Sequence, residues 1–148
     1  MNAGESQLCF IDSNIWLYRF ILNPRDANAI PKQKIATTIT NYPNIIISTQ
    51  VVNEICANLI RKAKFDNHKI EILIEELSQG CEIIPLSFET IQFAVKLRDR
   101  YLISFWDSLI VASAILEDAK ILYSEDMQDG LIINNTLQII NPFRDVNL

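Results

Sequence analysis

Five acids stand just after, or one helix beyond, short apolar runs. They are Asp12 in FIDSN, Glu54 in STQVVNEI, Asp107 in SFWDSLIVASAILED, and Asp126 and Asp129 in YSEDMQDG. Carboxylates offer hard oxygen donors, which hard divalent ions such as Mg²⁺ or Mn²⁺ prefer while they keep several waters. One or two such ions in an acidic pocket activate water and steady the charge on a phosphodiester in its transition state. The single histidine, His68, follows the polar stretch KFDN and reads as a surface residue with no catalytic role.

The elements around these acids decide whether they can meet. Residues 8–12 (LCFID), 44–48 (NIIIS), 81–86 (CEIIPL) and 120–124 (KILYS) read as strands, with 137–143 (LQIINPF) as a fifth. Helical spacing covers 14–22, 27–41, 50–64, 67–79, 88–101 and 106–118. Asn23-Pro24 and Gly80 supply the stops. Strands alternating with helices and helix pairs predict an α/β fold: one domain over 1–148, with a mostly parallel central sheet of four to five strands and helices on both faces. In such a sheet the ligand site lies outside the carboxyl ends of the strands. Asp12, Glu54, Asp107 and Asp126 are all delivered to that edge. Four converging carboxylates repel one another unless a cation sits among them.

Each acid also has a plainer reading. Asp107 could be the third residue of a capping box begun by Ser104, worth about 1 kcal/mol. Glu54 shares a polar helix face with Asn53, Asn58 and Arg61 and could be a solvated charge. Asp12 could cap the helix at 14–22. Asp126 could belong to an acidic turn, and Asp129 precedes Gly130 as turn residues often do. Taken together, these readings leave unexplained why the acids gather at one edge.

Composition sets the class. A chain of 148 residues, 49% of them apolar, can bury one sizeable core. Only three glycines and five prolines argue against disorder and against a turn-rich all-β fold. A net charge of −5 does not advertise non-specific nucleic-acid binding, although metals or segregated charge can offset it. Cys9, Cys56 and Cys81 lie next to apolar residues in no CxxC spacing, as buried free thiols in a reducing compartment would. MNAGESQL has no basic n-region, and no apolar run approaches a membrane span, so a soluble cytoplasmic protein is expected.

FIDSNIW, STQVVNEI, FWDSLIVASA and YSEDMQDG, in this order, resemble the PIN-domain ribonucleases, most closely the VapC-type toxins of bacterial toxin–antitoxin pairs. The resemblance spans about the whole chain. It implies that Asp12, Glu54, Asp107 and Asp126 are the metal-binding, catalytic acids. It also implies that Asn14 orients the first acid, that Ser124 supplies a hydroxyl before the fourth, and that Asp129 is a further outer-shell acid. The implied activity is that of a Mg²⁺- or Mn²⁺-dependent endoribonuclease acting on RNA, a homodimer silenced by a small antitoxin protein, with no membrane partner.

Other assignments fit less well. A haloacid-dehalogenase-type phosphatase needs a second Asp two residues after the first, where this chain has Asn14. A von Willebrand A-like metal site wants serines in DxSxS, which DSN does not supply. A PIN module that has lost catalysis and serves in RNA binding or protein interaction remains the different-class alternative. Arg61, Lys62, Lys64, His68 and Lys69 cluster at one helix-to-helix turn, either as a phosphate-steering rim or as a solvated helix end. The apolar load of the helices at 14–22 and 50–64 predicts a dimer surface or antitoxin groove involving Trp16, Tyr18 and Ile60.

Overall fold

A computed structural model describes residues 7–146. The stretch MNAGES, read above for a secretory signal, lies outside them. The chain begins with β1 (Cys9–Ile11), α1 (Ser13–Phe20), α2 (Ala29–Ile39), β2 (Ile45–Ser48), α3 (Thr49–Ala63) and α4 (Asn67–Gly80). It continues with β3 (Glu82–Ile84), α5 (Phe88–Tyr101), α6 (Phe105–Leu116), β4 (Ile121–Tyr123), β5 (Ile132–Ile133) and β6 (Leu137–Ile140).

The strands form one sheet in the order β3-β2-β1-β4-β6-β5. All neighbours are parallel except the β5–β6 hairpin. Among the described residues the sheet thus has six strands rather than the expected four to five. The extra one, β5, is two residues long and joins β6 through a turn in which Asn134 and Asn135 take φ of 51° and 57°. Asparagine tolerates that left-handed backbone better than most residues. Pro85 and Pro142 follow β3 and β6 closely, so both strands stop short of their expected ends.

The chain steps from β1 to β2 to β3 in one direction, then jumps back past β1 to β4. Right-handed crossovers therefore put α1–α4 on one face and α5–α6 on the other. The packing agrees: α1 lies against α2 and α3, and α5 against α6. Between β1 and β4 the connections diverge, which opens a crevice at the carboxyl edge.

The two central parallel strands are fully buried, as β-branched and apolar runs in a covered sheet should be. Behind the crevice, α6 is buried from Ser108 through Ala114. Ser48, Asp66, Ser87 and Ser104 cap their helices with side-chain oxygens, which explains where those helices begin.

Trp16 departs from the expected partner surface. It is 2% exposed, and its Nε1–H donates to Ile11 O at 3.2 Å. A buried indole needs an acceptor, and the end of β1 provides one. Tyr18 is also half-buried, bonded through its hydroxyl to Glu125, whereas Ile60 is exposed. No helix among the described residues is long and apolar enough to cross a membrane.

Candidate active site

Asp12 ends β1 and caps α1. Its extended backbone (φ −67°, ψ 156°) lets Oδ1 accept the Ser13 N–H at 2.8 Å. Oδ2 accepts the Ser124 hydroxyl at 2.8 Å. Ser124 is fully buried just past β4, and the Asp12 N–H donates to Tyr123 O at 3.0 Å, so the parallel β1–β4 register brings the pair together.

Asn14 reaches both Asp12 and Asp126. Its Nδ2 donates to Asp126 Oδ2 at 3.1 Å and reaches Asp12 Oδ2 at 3.5 Å. Its Oδ1 accepts the Glu125 N–H at 3.3 Å. One amide thus bridges two carboxylates and pins the loop after β4.

The other two acids ride on helices. Asp107 is the third residue of α6, and its N–H donates to Ser104 Oγ at 3.1 Å. The capping reading and the site reading are compatible: the Asp107 N–H makes the cap, and Ser104 also bonds the carboxyl, which still feels the charge of Asp126. Glu54 lies on α3, half-buried, with Oε1 buried and unpartnered among the described residues. A solvated surface charge would not look like this.

The four charges feel one another. Burial pushes the Asp12 carboxyl up to about 6; the Ser124 and Ser13 bonds oppose this, while the charges of Asp107 and Asp126 add to it. Glu54 is pushed up to about 7 by burial and then by Asp12 and Asp107. Asp107 is raised by burial, opposed by its bonding to Ser104, and raised further by Asp126. A shared set of shifts is what acids facing one pocket produce.

Asp129 is not among these influences. Its Oδ1 accepts the Asn141 N–H at 2.8 Å and its Oδ2 meets Arg144 Nη1 at 3.4 Å. The structure ties it to the C-terminal segment rather than to the cluster.

Two hollows flank the acids. One, of about 560 Å³, is lined by Asn14, Tyr18, Leu22, Lys62 and Asp126 among others. The second, of about 510 Å³, is lined by Thr49, Gln50, Asn53, Glu54, Leu86 and Trp106. Of the basic cluster expected at the α3–α4 turn, only Lys62 lines either hollow; all five members are exposed.

Sequence reading missed a second layer. Glu125 accepts the Tyr18 hydroxyl at 2.6 Å and pairs with Lys32 at 3.0 Å. Lys32 is buried, with its ammonium over the rings of Tyr18 and Phe143. Three residues from separate elements carry no common local pattern, so nothing in the sequence linked them. Gln50 was missed too, because one polar residue at a helix start is unremarkable.

Residues 9–128 match the family model described as PIN domain. The chain belongs to the PIN-domain family. No curated protein matches it in sequence. Its fold is similar to that of a toxin–antitoxin complex from Klebsiella pneumoniae, at TM-score 0.63 and 21% identity, covering 90% of this chain and 97% of that one. It is also similar to Mycobacterium tuberculosis VapC20, described as a Sarcin-Ricin loop cleaving toxin, at TM-score 0.59 and 17% identity over 77% of this chain and 86% of that one. A third likeness is to VapBC2 from Rickettsia felis bound to a DNA fragment from their promoter, at TM-score 0.57 and 20% identity over 90% of this chain and 99% of that one. At these identities the likenesses establish the fold, which is that of the VapC-type PIN domains.

PIN domains are generally nucleases, and those nucleases generally use divalent metal. The donor chemistry here fits such an ion. Asp12, Glu54, Asp107 and Asp126 offer only oxygen, and the buried Oε1 of Glu54 lacks a donor. Among the described residues no three acidic, histidine or cysteine side chains already stand at metal-ligand spacing. Mutual repulsion keeps carboxylates apart when nothing neutralises them, and Mg²⁺ usually takes one or two carboxylates and completes its shell with water. Such an ion does not require a closed cage.

Proposed function

We propose that this PIN domain, read as one domain over residues 1–148, is a Mg²⁺- or Mn²⁺-dependent endoribonuclease that hydrolyses RNA phosphodiester bonds. The observation that carries the reading is the cluster itself. Four acids from β1, α3, α6 and the loop after β4 gather at one sheet edge; burial and neighbouring charge raise the carboxyls of Asp12, Glu54 and Asp107, and Asn14 and Ser124 brace Asp12 and Asp126.

Asp12, Glu54, Asp107 and Asp126 would hold the ion. When bound, it would supply an activated water and neutralise charge developing on the phosphoryl oxygens. Asp12 is held ready by its Ser13 and Ser124 bonds, so it need not reorganise as charge builds. Asn14 fixes Asp126 relative to Asp12. Glu54, whose buried Oε1 has no donor among the described residues, would gain a partner in the ion. Lys62, on the rim of the hollow beside Asp126, is placed to meet a backbone phosphate.

RNA as the substrate draws support from the fold likeness to a toxin that cleaves the Sarcin-Ricin loop. The toxin–antitoxin neighbours favour a small antitoxin as partner, and we assign this chain the toxin's part of such a pair. A homodimer and a cytoplasmic location complete the reading; the free thiols of Cys9, Cys56 and Cys81 suit a reducing compartment.

The deciding experiment is metal dependence. Single-stranded and stem-loop RNAs should be cut with added Mg²⁺ or Mn²⁺ and left intact in excess chelator. Undiminished cutting in chelator rejects the proposal.

A further inference from the structure

The hollow between α3 and the start of α6 does not belong to the acid cluster, although it shares Glu54 with it. Trp106, the residue before Asp107, is 66% exposed on its wall. An exposed indole is unusual in a chain that buries its other tryptophan. Its ring is steadied by an edge contact to Phe105, with centroids 5.5 Å apart at 75°. Leu86 forms an apolar wall.

The same hollow is lined by Gln50, which is 8% exposed. Its Nε2 donates to the Trp106 carbonyl at 3.3 Å. Because a carbonyl only accepts, this bond fixes which end of the amide is nitrogen. The other end, Oε1, is therefore an acceptor, buried and with no donor among the described residues. Leaving such an acceptor unsatisfied costs about 1–3 kcal/mol, so a donor is wanted there. The hollow thus combines a flat π-face, an apolar wall and one buried acceptor, next to the acids proposed to cut a phosphodiester. Every base has a π-face, and each has at least one N–H on its pairing edge.

We propose that the hollow lined by Thr49, Gln50, Asn53, Glu54, Leu86 and Trp106 is a nucleobase subsite. It takes an unpaired base beside the scissile phosphate, with Trp106 stacking on the base and Gln50 Oε1 accepting its edge N–H. The proposal rests on the ribonuclease reading for its substrate class. A base paired within a duplex cannot offer its face and edge together, so the subsite selects single strands and loops.

The test uses the intrinsic tryptophan fluorescence of the full chain, with single-stranded tetraribonucleotides of A, C, G or U as probes. Each probe is paired with a counterpart carrying one abasic position, and binding is followed separately by anisotropy of an end label. At least one probe should quench the fluorescence saturably, and its abasic counterpart should bind at least about fivefold more weakly, the low end of a base–aromatic stack. Trp106→Phe should lose the quench yet bind within about twofold, since phenylalanine still stacks. Trp106→Ala should weaken binding at least about fivefold, and Gln50→Leu should weaken binding of every probe that quenches.

Three results would overturn the subsite: no quench by any probe, a quench that survives in Trp106→Phe, or parent-like binding by Trp106→Ala. Metal-dependent cutting of the same probes is scored separately. Quenching without cutting would leave the subsite standing and remove the nuclease. Cutting without quenching would do the reverse.

Discussion

The two halves of the acid cluster are built differently. Asp12 and Asp126, at the exits of neighbouring strands, are cross-braced by Ser124 and Asn14, and the loop between them is tied to Tyr18 and Lys32 through Glu125. Asp107 is bonded only to Ser104 at the start of its own helix, and one Glu54 oxygen has no donor among the described residues. The strand half is arranged before any ion arrives. Both halves carry an electrostatic burden that an ion would relieve, but only the strand half is braced against it. Preorganisation is thus concentrated on one side of the crevice, whereas the need for a cation is shared by both.

The strongest challenge to this division is to remove one acid from each half. Asp12→Asn and Asp107→Asn should each lower RNA cleavage by more than about a hundredfold, since even outer-shell partners cost 10–100-fold. A single-turnover assay with Mn²⁺ checks it. Near-parent activity in either would mean that half is not part of the reaction.

Next comes a brace. Ser124→Ala removes a bond that lowers the Asp12 pKa, so that carboxyl should rise above about 6. Cleavage should fall 10–100-fold, and its rise with pH should shift to higher pH. A pH–rate profile superimposable on the parent's would refute the bracing role.

Lys32→Met tests the outer tie. It leaves Glu125 without its ion pair, at a cost of about 2 kcal/mol after allowance for partial exposure. Urea unfolding should show the loss, and cleavage should drop less than in Ser124→Ala. Stability equal to the parent's would show that the network holds nothing.

The smallest effect concerns the ion and pH. Asp12 and Glu54 have folded values of about 6 and about 7, above their ordinary 3.8 and 4.5. A raised folded value means the native state binds more protons than the unfolded chain in that interval. The stability these groups contribute is complete below about pH 4 and is lost as pH rises through about 6 to 7. Mg²⁺ at ten times its Kd should restore about 1.4 kcal/mol, a few degrees in Tm, and more at pH 8 than at pH 5. Without metal, Asp107→Asn should melt no lower than the parent at pH 8, and it should lose most of the Mg²⁺ response. An equal response in both would place the ion elsewhere.

The parallel sheet and its crevice were legible because β1, β2 and β3 are short apolar runs each followed by a helix with a recognisable cap. NIIIS before Thr49 and the Ser104-to-Asp107 spacing are the clearest cases. The placement of Asp12, Asp107 and Asp126 at one edge was legible because strand exits and helix starts have fixed directions, whereas Glu54 sits within its helix. The hairpin strand Ile132–Ile133 was not, since two residues give no periodicity. Trp16 looked like surface because helical spacing does not reveal which face meets the sheet. Lys32, Glu125 and Gln50 matter only through neighbours from other elements, and a linear pattern carries no such information. Asp129 shared a motif with Asp126 but turns to Arg144 instead.

The hydroxyl bond from Ser124 to Asp12 spans 112 positions of the chain, as does the amide bond from Asn14 to Asp126. Closing so long a loop is slow relative to forming local helices. On a ribosome, β1 emerges early but lacks its β4 neighbour until synthesis has passed residue 123. The braced carboxylates therefore come into being only after the 112 positions that separate their partners have been synthesised. A PIN domain arranged this way has no braced acid pair while those intervening positions are still being made.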